Sequence, residues 1–354
     1  MSDSHSLAVA VAGAGGPLGR RVCARLLDNP RVGSVIGVDL RPDPGLAGLR
    51  YVGDDVGELD LAPLLDEVDV LVHLVSVAPA PGEASPGAGG ALATRRLLDA
   101  AAGAGVGRLV LMSSAMVYGA WPDNPVPLTE ASLLRPNPEF GFAVVKAEQE
   151  RLAAEWAEAH PHVAVITLRP VVGLAEDHEG WVFRSLRSTA NLSADREVPM
   201  QFLHLDDLAD AVELSVVGDL SGVYNVAPPG WITTGTALEL LGRTPGVKLP
   251  EPLQERLSRW WRRYRRASAD PGVLAYVRHP WVVAADRLRE AGWNPEFTSE
   301  QALVSGREVP PWGMLDSRRR QQIALGGAVL GGLGVIWAVV ALIRRLRRGR
   351  RERL

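Results

Sequence analysis

Leu7-Ala-Val-Ala-Val-Ala-Gly13-Ala-Gly15-Gly16-Pro17-Leu18-Gly19-Arg20 is the stretch around which the rest of the chain is organised. Its first six residues are apolar and valine-rich, as in a strand buried on both faces of a parallel sheet. Gly13, Gly16 and Gly19 follow at once, and then an amphipathic run over residues 20–27 that reads as a helix. Strand, glycine loop and helix in this order open a dinucleotide-binding βαβ unit. Glycine lets the backbone turn tightly and approach a pyrophosphate, and the helix N-terminus presents free N–H groups and partial positive charge to it. Glycines alone would be weak evidence, because any tight turn collects them. The context adds weight: a second apolar run over residues 35–40 carries Asp39, twenty residues after Gly19. A carboxylate there takes the ribose hydroxyls of an adenosine.

Outward from this unit, strands and helices keep alternating. Strands are expected over residues 49–56 (ending in Asp54, Asp55 and Val56), 68–76, 108–114 and 162–170, with helices over 61–67, 91–103 and 140–159. That spacing predicts a doubly wound parallel sheet. Residues 78–90 are rich in proline and glycine and predict no regular element, and 122–138 form a proline-bearing loop. Shorter elements follow: a segment over 201–207, a helix over 208–217 and a strand over 222–226.

This division gives a dinucleotide-binding domain over 1–170, a smaller substrate-binding part over 171–308 and a linker over 309–322, where Pro310-Pro311 ends any regular element. Residues 323–343 are 21 residues without a charge, flanked by Arg318-Arg319-Arg320 and an arginine-dense tail over 344–354. Length and flanks predict a membrane-spanning helix. Gly327 and Gly331 form a GxxxG pair that suits helix pairing, although glycine is common in spanning helices anyway. A cytoplasmic domain followed by one crossing puts seven tail arginines outside, against the positive-inside tendency.

Composition describes an ordinary folded protein: 354 residues, 47% hydrophobic, net charge -3. Nothing in that balance points to nucleic acid, and no metal site is read. Only Lys146 and Lys248 among the 38 basic residues are lysines, which with the abundant Ala, Gly, Val and Arg suggests a GC-rich bacterial genome. The single cysteine, Cys23, excludes an intramolecular disulfide and reads as a small core residue. The N-terminus lacks the charged region of a signal peptide, so the main domain is expected in the cytoplasm, anchored to the plasma membrane by the C-terminal helix. The basic, aromatic tract over 255–266 has three readings: a membrane-interface segment, a diphosphate-binding patch, or a solvated helix face with buried tryptophans.

Over residues 7–305 the chain resembles an extended short-chain dehydrogenase/reductase of the NAD-dependent epimerase/dehydratase family. Gly13-x-x-Gly16-x-x-Gly19 matches that family's cofactor loop and Asp39 its NAD-selecting acid. Asp55-Val56 sits where the family contacts adenine, and His73-Leu74-Val75-Ser76 resembles its strand-four motif. Ser113-Ser114-Ala-Met-Val-Tyr118-Gly119 matches the segment carrying the catalytic Ser or Thr, which falls on Ser114. Leu168-Arg169-Pro170, Leu205-Asp206-Asp207-Leu208-Ala209 and the segment from Asp286 to Pro295 match later landmarks. The resemblance implies NAD as cofactor, a nucleotide-linked sugar or related small molecule as substrate, and a dimer. It implies Gly13, Gly16, Pro17, Leu18, Gly19, Asp39, Asp55, Val56, Leu74, Lys146 and Pro170 as cofactor contacts, with Ser114 and Lys146 catalytic.

The departures matter as much. Family chemistry uses Tyr-x-x-x-Lys, in which lysine lowers the tyrosine pKa and holds the nicotinamide ribose while tyrosine moves the proton. Four residues before Lys146 this chain has Phe142, which has no proton to give, and Gly90 stands where the family's helix-four asparagine aligns. Tyr118, Glu139 and His178 are the substitute donors the sequence offers. Three functional expectations follow: a membrane-tethered oxidoreductase with a degenerate site, a non-catalytic NAD-responsive scaffold, and a reductase of lipid-linked compounds.

Overall fold

Strand β1 (Leu7–Ala12) sends Val9 and Val11 into one apolar core and Ala10 and Ala12 into another, which is why it needs small and branched residues on both faces. The structure is a computed structural model, describing residues 6–75, 89–190, 197–241 and 271–306. After β1 come α1 (Pro17–Asp28), β2 (Val32–Val38), β3 (Leu49–Val52), α2 (Ala62–Leu65), β4 (Val70–His73), α3 (Gly89–Ala104) and β5 (Arg108–Met112). Then α4 (Gly141–Ala159), β6 (Ala164–Pro170), β7 (Val172–Leu174), α5 (Trp181–Ala190), β8 (Pro199–Met200), β9 (Phe202–His204), α6 (Leu205–Val217) and β10 (Gly222–Val226) complete the frame.

Seven strands form one parallel sheet in the order β10-β6-β5-β4-β1-β2-β3. The order reverses about β1, so the crevice at its carboxyl end is a topological switch point. Helices α1 and α6 cover one face, with Val22, Cys23, Leu26, Leu208 and Val212 in the core there; α2, α3 and α4 cover the other with Leu64, Leu97, Leu152 and Trp156. Burial pushes the Cys23 thiol up to about 12, so it stays an inert core group.

Two boundaries move for local reasons. Helix α1 starts at Pro17 rather than at residue 20, because proline at the first helical position loses no hydrogen bond and Gly16 supplies the extended N-cap. The segment 201–207 is part strand and part helix: the His204 imidazole accepts from Asp206 N–H at 3.2 Å and starts α6 at Leu205, three residues early. Asp206 and Asp207 then sit in the first turn, where the helix dipole favours them. Two matched landmarks meet here: the buried Asp207 carboxylate accepts Glu296 N–H at 2.8 Å and Phe297 N–H at 3.1 Å, while Trp293 Nε1 donates to Asp207 O at 2.9 Å.

All described residues belong to one unit, in which position 170 closes β6. Residues 89–90 are helical, as the start of α3; the rest of the 78–90 segment lies outside the described residues. So do the tract over 255–266, the linker, residues 323–343 and the basic tail. Among the described residues no helix is long and apolar enough to cross a membrane.

Candidate cofactor and active site

At the carboxyl ends of β1, β2, β4, β5 and β6 lies a cavity of about 790 Å³. Gly13, Gly16, Pro17, Leu18, Gly19, Asp39, Asp55, Val56 and Leu74 line it, and so do Ser114, Lys146 and Pro170. The cofactor contacts and the Ser114–Lys146 pair that the resemblance implies thus border one space.

The glycine loop has a steric logic. Gly13 has φ +95°, a region that L side chains rarely adopt. A Cβ on Gly19 would collide with Gly13 O and the Ala14 backbone, so this glycine lets α1 lie against the loop. Gly16 differs: an added Cβ would come within 2.8 Å of Arg41 Nη1, the movable end of a side chain. Asp39 Oδ2 accepts from Gly15 N–H at 3.1 Å and Oδ1 from Arg41 N–H at 3.0 Å. The carboxylate therefore fixes the loop as well as facing the cavity. With Leu18 and Gly19 in the first turn of α1, whose N–H groups have no partner within the helix, this cradle fits a dinucleotide.

At the other end, Ser114 caps the 3₁₀ turn Ala115–Tyr118, accepting from Met116 N–H at 3.2 Å, and opens onto the cavity. Lys146 is buried, and its Nζ donates to Met112 O at 2.8 Å. Burial lowers its pKa to about 8, while the Glu150 charge pulls the other way. Beside it, burial and then the Lys146 charge lower His73 to about 3, so this imidazole is neutral. His73 Nε2 meets Thr94 Oγ1 at 2.8 Å, and Gln149 Nε2 donates to the same hydroxyl at 2.7 Å and to Gly90 O at 3.1 Å. A Thr–Gln–His cluster thus ties α3, α4 and β4 together around Gly90 O.

Phe142 lines the cavity at its Lys146 end. Its ring lies 5.4 Å edge-on from Trp181 and 5.7 Å from Phe140, which in turn packs 5.2 Å from Tyr276. The Tyr276 hydroxyl is engaged by Met116 O at 2.8 Å. The cavity wall on this side of Lys146 is therefore aromatic.

The three substitute donors separate cleanly. Tyr118 is fully buried: its hydroxyl donates to Asn225 Oδ1 at 2.8 Å and accepts from Arg169 Nη1 at 2.8 Å. Arg169 also pairs with buried Glu150, which accepts from Ser113 Oγ. This network lies beneath the site, burial raises the Tyr118 pKa, and Tyr118 does not line the cavity. Glu139 is exposed and does not line it either. His178 does line it, and partial burial lowers its pKa. Trp181, Arg41 and Asp54 also line the cavity and were not singled out from the sequence. The only signal for Arg41 was its place two residues after Asp39, and Trp181 opens a helix that sequence periodicity did not separate.

A model of the NAD dependent epimerase/dehydratase family matches residues 9–227. A Mycobacterium tuberculosis protein described as uncharacterised is 27% identical over 319 residues, 86% of this chain and 85% of that one. The UDP-glucose 4-epimerase of Streptomyces lividans is 28% identical over 235 residues, 60% of this chain and 65% of the relative. The crystal structure of the Thermus thermophilus UDP-glucose 4-epimerase in complex with NAD shares the fold, with TM-score 0.64 and 18% identity, covering 85% of this chain and 97% of that one. With the family model spanning the sheet and the cavity, the chain belongs to the NAD dependent epimerase/dehydratase family.

Proposed function

We propose that this chain is a membrane-anchored, NAD-binding oxidoreductase of epimerase/dehydratase type with a degenerate active site, acting on a nucleotide-linked sugar or related small molecule. The observation that supports this reading is the asymmetry of the cavity: a glycine and Asp39 cradle lines one end, while Phe142, four residues before Lys146, lines the other with an aromatic ring that has no proton to give. NAD, when bound, supplies a hydride acceptor. In this reading Gly16, Pro17, Leu18 and Gly19 hold its pyrophosphate, Asp39 its adenosine ribose, and Asp55 and Val56 its adenine. Leu74 and Pro170 flank it, Lys146 binds the nicotinamide ribose, and Ser114 orients the substrate hydroxyl. Residues 323–343 serve as the anchor that holds the catalytic unit on the cytoplasmic side of the plasma membrane, and two chains pair as a dimer.

A titration of the full chain with NADH and NADPH, read by energy transfer from tryptophan to nicotinamide, tests the cofactor. Saturable NADH binding that is lost in Asp39→Ala and Gly16→Trp is the expected result; no binding of either dinucleotide overturns the reading. Phe142→Tyr tests the degenerate site: it should raise turnover of nucleotide-linked sugars. Unchanged turnover points to another donor, of which His178 is the cavity-lining choice. The hydrocarbon wall around Phe142 favours a second reading, a non-catalytic NAD-responsive scaffold, which predicts cofactor binding with no NAD reduction by any candidate substrate.

A further inference from the structure

Between β7 and α5 the chain makes a tight turn over the cavity. Ala175 N–H donates to His178 O at 3.0 Å and His178 N–H to Ala175 O at 2.9 Å, leaving Glu176 and Asp177 at the tip. The turn exits through Gly180 at φ +66° into Trp181. His178, Glu179, Gly180 and Trp181 all line the cavity.

The tip is fastened to the opposite lip. Asp177 Oδ1 accepts from Arg21 Nη2 at 2.8 Å and Oδ2 from Arg21 Nη1 at 3.3 Å, and Arg20 pairs with the same carboxylate. Arg21 is held in place for this: Nε donates to Asp206 Oδ1 at 3.1 Å and Nη1 to Pro17 O at 2.9 Å. Arg20 and Arg21 directly follow the glycine loop, in the first two turns of α1. A bidentate arginine–carboxylate pair fixes orientation as well as distance. Arg25–Asp210 and, just past the end of α1, the Asn29–Glu213 hydrogen bond continue the same row of contacts, but they reach only α6 and leave the cavity untouched.

We infer that Asp177 is a positioning residue that clips the 175–181 strap to α1 and so retains the dinucleotide in the cavity. The inference rests on the cofactor reading above for its ligand, and on the Asp177 ion pairs for its geometry. The Arg21 hydrogen bonds hold the Asp177 carboxyl below the usual range, so the clip is charged at neutral pH.

The test compares Asp177→Ala with Asp210→Ala in the full chain, the second removing an ion pair of the same row away from the strap. NADH release after rapid mixing with excess competitor should be about three- to tenfold faster in Asp177→Ala, unchanged in Asp210→Ala, and largely restored in Asp177→Glu. Hydrogen exchange of the 178–181 amides without cofactor should rise in Asp177→Ala alone. Equal release and equal exchange in the two alanine variants overturn the clip. If the unaltered chain binds no NADH, the cofactor reading fails, and the exchange comparison still decides whether Asp177 holds the strap.

Discussion

At the glycine-loop end of the cavity the polar contacts run through the backbone: Gly15 N–H and Arg41 N–H hold Asp39, and the first turn of α1 presents its own N–H groups. At the Ser114 end the contacts are side chains delivered by separate elements, with Lys146 and Gln149 from α4, Thr94 from α3 and His73 from β4. The difference shows that one end depends on space for the backbone and the other on which side chains separate elements deliver. A side chain at Gly19 meets backbone, whereas an aromatic ring at position 142 needs only neighbouring rings to enclose it. Phe140, Trp181 and Tyr276 do that around Phe142.

The sharpest way to break the comparison lies beneath the Ser114 end. Glu150→Ala strands the Arg169 guanidinium, 5% exposed, without its partner, and should cost about 3–5 kcal/mol in denaturant unfolding. A cost near that of an exposed ion pair would mean the network is not what supports Tyr118 and Ser113.

At the glycine-loop end, Gly19→Ala forces backbone against backbone and should cost about 1–3 kcal/mol and abolish NADH binding. Gly16→Ala needs only the Arg41 side chain to move, and should leave the melting temperature nearly unchanged. Equal effects of the two would dissolve the steric argument for the loop.

Lys146 sharpens the comparison through pH. Its folded value of about 8 lies below the ordinary 10.5, so between those values the unfolded chain binds a proton that the native chain has released. Its contribution to stability therefore rises with pH from about 8 to 10.5, and the penalty for burying the ammonium is fully present below 8. Lys146→Met should remove this slope from the variant's own stability curve, so that the difference between the two curves carries it; a slope that persists in the variant assigns it elsewhere.

Phe142→Tyr should change stability by no more than about 1 kcal/mol, because the ring borders the cavity and a hydroxyl there has room. A larger loss would mean that the ring edge is sealed in the aromatic cluster, and would weaken the case for restoring turnover by this change.

How legible the molecule was follows from what each feature depends on. The sheet and its helices could be read because β1, β2, β4, β5 and β6 each carry a short run of mostly apolar residues, and burial of such runs on both faces is a local property of composition. The glycine loop could be read because its spacing is local, and Asp39 because it directly follows the next strand of the same βαβ unit, although the Gly15 N–H it accepts from lies 24 residues away. The other expected cavity residues were legible only through the family resemblance. Helix α5 and the strap could not, since Trp181 and Asp177 gain meaning only from Phe142 and Arg21, 39 and 156 residues distant. The same holds for the substitute donors: Tyr118, Glu139 and His178 look alike in a sequence, and only burial separates them.

The sequence by itself determined the doubly wound class, the position of the glycine loop and the absence of a tyrosine at 142, because each is written in local spacing and residue type. It also carries the uncharged stretch 323–343. Tertiary structure alone decided that Tyr118 is locked to Arg169 and Asn225, that His178 faces the cavity, and that α1 is fastened to the strap through Asp177. Those outcomes depend on which distant groups share a desolvated space or a charge, and contact across the fold, not order along the chain, sets that.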